Sequence, residues 1–165
     1  MGRRLQANNR YDATPEAVFA AFTDEKFVRA KYEALRYPEF DVVECTATDS
    51  GAVIKTRRLV PANVPGFAKK LFGDTTEMVQ TDTWGAADAT GKRTGTWTID
   101  VPGKPVNVKG TITLSPDGDG AVVVIDGEMK ANVPLIGGKL ENFAGQEAEK
   151  TLVDEYEFTK DWLAR

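Results

Sequence analysis

The chain has no histidine among its 165 residues. That absence removes the commonest general base and metal ligand available near neutral pH. Ser-His-Asp and Cys-His catalysis go with it, as do zinc sites of the His-containing types. Cysteine is nearly as scarce. Cys45 stands alone, so no intrachain disulfide and no thiolate cluster can form. Acid–base chemistry would fall to Asp, Glu, Tyr, Lys or Cys45, each needing a pKa moved toward neutrality. No apolar run approaches the ~20 residues that span a bilayer. Arg3 and Arg4 are not followed by an apolar stretch, so a secretory signal is not expected. No Asn-x-Ser/Thr sequon occurs. Positive charge is short as well, with 21 Lys and Arg against 25 Asp and Glu. A nucleic-acid partner is therefore not expected, since it would need a basic face. The expectation is a cytoplasmic protein without metal or cofactor.

What is present is enough for one substantial core. Apolar residues make up 41% of the chain, and a single domain over residues 1–165 is the natural reading. Residues 3–11 form a weak first strand, diluted by Asn8 and Asn9. Thr14 reads as an N-cap with Pro15 at the first helical position, and Val18 and Phe22 share a face. Asp24 reads as a second N-cap, opening a helix to about Leu35 with Phe27, Ala30 and Ala34 inward. After Pro38 the period changes to two. Strands are expected over residues 40–47, 52–60, 75–84, 93–101, 106–114 and from about 121 to 132. The last of these places Val123, Ile125, Met129 and Ala131 inward, and Asp126, Glu128 and Lys130 toward water. Seven antiparallel strands with helices kept to one face make an α+β plan.

The chain closes with a helix expected from about Leu135 or Ile136 to Leu163, on the order of 40 Å long. Its inner stripe is Leu140, Ala144, Ala148, Leu152, Tyr156 and Leu163, and its middle is built from small residues. Gly145 costs roughly 1 kcal/mol against alanine in that position. It implies either a close approach of the sheet or space for a ligand.

Two motifs carry a family resemblance. Residues 11–24 contain Thr14-Pro15-Glu16, Val18-Phe19 and the acidic cap Asp24, and look like the entry motif of the START-like (SRPBCC) helix-grip superfamily. That superfamily includes polyketide cyclases, lipid-transfer domains and Bet v 1-type proteins. Residues 133–141, Val133-Pro134-Leu135-Ile136-Gly137-Gly138-Lys139-Leu140-Glu141, resemble the bacterial DUF2505 family. The resemblance implies a seven-stranded antiparallel sheet wrapped around the last helix, with two short helices between strands one and two. It also implies an apolar cavity between sheet and helix.

On that frame the expected function is binding or transport of a small hydrophobic or amphipathic molecule: a lipid, an isoprenoid or a polyketide-like compound. Its walls would include Trp84, Trp97, Val108, Ile112, Ile125, Met129, Leu140, Phe143 and Ala144. Residues 61–73 fall where the superfamily places a loop over the cavity mouth. Phe67, Leu71 and Phe72 would form either a movable lid or a permanent plug there. Lys69 and Lys70 are too few for firm attraction to anionic lipid, so any membrane contact would be transient. Met78, Gln80, Asp82 and Trp84 share a parity, and Arg58 shares one with Ile54 and Val60. A buried charge needs a partner, so Arg58 is expected to pair with Glu147 or with Asp82. Two other readings stay open. One is a cyclase, aromatase or dehydratase using Glu147 or Asp82 with Arg58 as oxyanion partner; the other is an interaction module with a filled cavity. Residues 117–120 imitate a calcium loop, but Val122 occupies the required glycine position, so a hairpin turn is expected. Gly138-Lys139 is not a phosphate loop, because Leu140 replaces the Ser/Thr.

Overall fold

The computed structural model describes residues 2–61 and 64–165. One sheet is formed by β1 (Arg3–Tyr11), β2 (Glu39–Thr48), β3 (Gly51–Pro61), β4 (Thr75–Gly85), β5 (Arg93–Asp100), β6 (Val106–Asp117) and β7 (Gly120–Ala131). The strands pair antiparallel in the order β1-β7-β6-β5-β4-β3-β2. Every neighbouring pair except β1 and β7 is therefore consecutive in the chain. The helices are α1 (Pro15–Phe22), α2 (Glu25–Ala34), the single-turn α3 (Lys69–Phe72) and α4 (Gly137–Leu163). This is the α+β arrangement read from the sequence, down to two short helices between the first two strands.

Local chemistry sets the helix ends. The Thr14 hydroxyl accepts from the Ala17 N–H at 3.1 Å, and the Asp24 carboxylate accepts from Lys26 N–H at 2.9 Å. Both satisfy donors that the first helical turn leaves without partners. The inward face of α2 is Phe27, Val28 and Tyr32, while Ala34 is exposed. The expected face is thus rotated, because Val28 and Tyr32 remove far more apolar area from water than the alanines would. The turn between β6 and β7 tightens to Gly118 and Asp119, with Gly118 at φ 58°. On the outer strand β2, the register shifts between Val42 and Glu44, leaving Val43 exposed in a bulge.

Two glycines shape the sheet beneath the last helix. Trp97 on β5 stands opposite Gly110 on β6, which stands opposite Gly127 on β7. A Cβ at Gly127 would fall 2.4 Å from the Trp97 ring. The indole lies across the glycine and donates its Nε1–H to the Thr111 carbonyl at 3.1 Å. The largest side chain of this part of the sheet is therefore laid sideways.

Leu135 sits at φ 71°, in the left-handed region, so α4 begins only at Gly137. A Cβ on Gly137 would lie 2.6 Å from the Ala131 carbonyl oxygen, so strand and helix meet closely there. The buried Glu141 carboxylate accepts from the Ala131 N–H at 2.9 Å and ties the first turns of α4 to the end of β7. Gly145 makes room for the Arg3 side chain of β1, whose Cδ would lie 2.3 Å from an added Cβ. Arg3 donates to the Asn142 carbonyl and pairs with Glu149, both at 2.7 Å. The small residue at 145 thus serves close approach of the sheet.

The Trp97 packing predicts a specific cost. Gly127→Ala is expected to destabilise the fold by about 1–3 kcal/mol through overpacking, measured by urea denaturation, and to change the near-UV circular dichroism of the indoles. Unaltered stability with an unaltered aromatic signal would contradict this contact.

Candidate functional site

Between α4 and the concave side of the sheet lies a cavity of about 370 Å³. It exists because the mid-length face of α4 is short. Ala144, Ala148 and Thr151 reach into a space bounded on the other side by β3 to β7. At one end, Leu140 packs with Ala68 and Ala131. At the other, Phe22, Phe27, Phe158 and Trp162 form an aromatic cluster, with the Phe27 and Trp162 rings 5.5 Å apart.

Trp84, Trp97, Val108, Ile112, Ile125 and Met129 contribute to the cavity wall from the sheet. Leu140, Phe143, Ala144 and Glu147 contribute from α4. Arg58, Met78 and Asp82 do so from β3 and β4, and Phe72 from α3. Phe67 and Leu71 do not reach it. Phe67 is 45% exposed, and Leu71 packs around Ala68 and Leu140. A single helical turn anchored by the fully buried Ala68 has only one aromatic, Phe72, on its cavity side. Ala62 and Asn63 of the expected lid lie outside the described residues.

The wall is not uniform. Toward β5, β6 and β7 it is hydrocarbon and indole, and the Trp97 N–H is already taken by Thr111. Toward α2, β3 and β4 it is polar. Arg58 is 6% exposed, and its Nη1 donates to Tyr32 Oη at 3.2 Å and to Gln80 Oε1 at 3.1 Å. Its guanidinium carbon lies 5.3 Å from the Tyr32 ring centre and 5.5 Å from that of Tyr37, within cation–π range. Tyr32 Oη also shares a hydrogen bond with Thr56 Oγ1 at 2.9 Å. Gln80 Nε2 donates onward to Asp82 Oδ1 at 3.0 Å.

Neither expected partner forms an ion pair with Arg58. Glu147 pairs with Lys150 at 3.2 Å, one turn along its own helix. Asp82 is reached only through the Gln80 carboxamide, which occupies the position between them. The cavity holds instead an ion pair between Lys31 of α2 and Glu155 of α4 at 3.3 Å. Burial alone would lower the Lys31 pKa, but Glu155, Tyr32 and Asp82 together outweigh it and the ammonium is held above its ordinary range. Burial raises the Asp82 pKa, opposed by the Gln80 hydrogen bond and the Lys31 charge. Cys45 stands outside the cavity, with Sγ donating to the Thr23 carbonyl at 3.2 Å. Burial, then Glu25 and Asp24, push its thiol pKa up, which suits an inert cysteine.

Lys31, Tyr32 and Glu155 were not among the residues expected from sequence. A positional signal did exist. Lys31 falls four residues after Phe27, and Glu155 four after Thr151, so both share a face with inward neighbours.

The arrangement is a helix-grip fold of the START-like type, with an apolar chamber that has a polar end. A family model described as "Protein of unknown function (DUF2505)" matches residues 6–163. The chain belongs to that family. An uncharacterized protein of Mycobacterium tuberculosis is 26% identical over 174 residues, covering 99% of this chain and 98% of its own. The fold is shared with a STAR-related lipid transfer protein from Xanthomonas axonopodis at a TM-score of 0.64 and 19% identity, covering 97% of this chain and 85% of that one. It is also shared with the Zhui aromatase/cyclase from Streptomyces sp. R1128 at a TM-score of 0.61 and 13% identity, covering 100% and 95%. Among the described residues, no helix is long and apolar enough to cross a membrane.

The raised Asp82 pKa sets the sign of a pH effect. The folded state binds the Asp82 proton more tightly than the unfolded chain does. Its contribution is complete below the ordinary carboxylate range and is lost as pH rises through the folded pKa. Asp82→Asn keeps an acceptor for Gln80 and removes the cost of ionising a buried group. It is expected to be more stable than the parent at neutral pH, with the gain shrinking toward zero below about pH 4. Urea denaturation across that range measures it, and a variant less stable at neutral pH would contradict the assignment.

Proposed function

We propose that this protein binds one small apolar or amphipathic molecule in the chamber between α4 and the sheet, as a carrier or sensor of that molecule. The observation that carries this reading is the cavity of about 370 Å³ with hydrocarbon walls and a charged end. A filled-core interaction module fits that volume less well. The named activities of the Xanthomonas and Streptomyces proteins, lipid transfer and aromatase/cyclase, support a chamber that takes apolar molecules.

Magnitudes bear on how such a ligand would be held. A molecule burying roughly 300 Å² of apolar surface, somewhat more than one aromatic side chain, gains about 7 kcal/mol by desolvation. Association costs of roughly 4–15 kcal/mol consume most or all of it. Desolvation gives generic retention, and the polar end has to provide the remaining affinity and the orientation.

An enzymatic reading is favoured by one observation, the carboxyl of Asp82 with a raised pKa two hydrogen bonds from Arg58. A carboxyl of that kind can act as a general acid. Binding without turnover would favour the carrier.

The cavity reading predicts saturable binding of an apolar naphthalene dye with about one site per chain. Ala144→Trp, which pushes an indole into the mid-helix space, is expected to abolish that binding while the far-UV circular dichroism stays that of the parent. If the folded variant binds dye as the parent does, the site lies elsewhere and the reading fails.

A further inference from the structure

We propose that the ligand carries a carboxylate, and that Arg58 grips it side-on through Nε and Nη2. The proposal rests on the ligand-binding reading above and names the chemical class of the ligand.

A guanidinium does not give up its proton in a protein, so Arg58 is a permanent cation at a nearly fully buried position. Its hydrogen bonds are one-sided. Nη1 has two partners, the neutral oxygens of Tyr32 and Gln80. Nη2 has only the Met78 sulfur, at 4.0 Å, and the buried Nε has no partner among the described residues. Nε and Nη2 form the edge that offers two parallel N–H bonds to a carboxylate.

The acidic groups facing this cation are otherwise engaged. Glu155 is held by Lys31 at 3.3 Å, Glu147 by Lys150 at 3.2 Å, and Asp82 is screened by Gln80. Burial also biases Asp82 toward its neutral form. A buried charge without a counter-ion is costly, and one monoanion delivered from the cavity supplies the missing partner. A doubly charged head would bring one negative charge more than Arg58 can balance. A neutral alcohol or ester would leave half of the fork without an acceptor.

Access and orientation follow from the neighbours. Met78 lines the cavity against the free edge, and its unbranched thioether can move aside at little cost. Tyr32 and Tyr37 pack edge to face against each other and together on one side of the guanidinium. With the carboxylate at Arg58, an apolar tail runs toward Trp97, Val108 and Met129, where the wall is hydrocarbon. The ligand is thus an apolar monocarboxylic acid bound head-first at β3.

The test compares dodecanoate, dodecanol and methyl dodecanoate by calorimetric titration of the parent, Arg58→Met and Arg58→Lys. The parent is expected to bind the acid about 10–100-fold more tightly than the alcohol or the ester, the range set by charge-assisted hydrogen bonds. Arg58→Met is expected to lose that preference while keeping its affinity for the alcohol, and Arg58→Lys to retain part of it. Should Arg58→Met fail to fold, the parent's own pH series decides, since acid affinity must fall as pH drops through the acid's titration and alcohol affinity must not. Equal binding of all three compounds by the parent would overturn the role of Arg58 and leave the cavity reading standing. Binding of none would contradict the cavity reading and the proposal together.

Discussion

A curved sheet of seven strands offers more concave surface than one helix with a short inward face can cover. Ala144, Ala148 and Thr151 lie in the middle of α4 and line the cavity. Leu140 anchors one end of the helix and Tyr156, Phe158 and Trp162 the other, while Phe143, Glu147 and Leu152 line the cavity between them. The sheet does not fill the difference either, because Trp97 is folded across Gly127 and anchored to Thr111. The cavity is therefore a consequence of residue size at a few positions. The ends hold the helix and the middle stays open.

That geometry also explains why charge can be tolerated inside. Lys31 and Glu155 neutralise each other across α2 and α4, joining the two helices over the cavity. Arg58, Gln80 and Asp82 form a hydrogen-bonded row on adjacent strands. Within that row the guanidinium is the group whose donors are least satisfied, and Nε is left over. A pure core would favour hydrophobic replacements at these positions, since a buried ion pair rarely stabilises more than well-packed apolar groups. The ligand proposed above would make use of them.

Much of the architecture was legible from local pattern. Alternation in β5, β6 and β7 placed Trp97, Val108, Ile112, Val123, Ile125 and Met129 inward, and all line the chamber. Thr14 and Asp24 announced two helices through their capping chemistry, and both cap as expected. What the pattern could not supply was pairing across the chain. Lys31 meets Glu155 only because α2 and α4 pack together, and no periodicity encodes a partner that far away. Nothing in the helical pattern marked Glu141, whose partner is the Ala131 N–H at the end of β7. Gly127 was silent for the same reason, since its value depends on an indole two strands away. Arg58 was identifiable as an interior cation, but its partners are neutral oxygens rather than the carboxylates that charge counting favoured.

The measurement that bears most directly on this account is native mass spectrometry of the protein purified from its own cells, followed by organic extraction and identification of what is released. The account predicts one apolar passenger per chain, removed by solvent and ionising as a carboxylic acid. A chain that carries no passenger and also fails to take up apolar probes would contradict the claim that the chamber is a binding site.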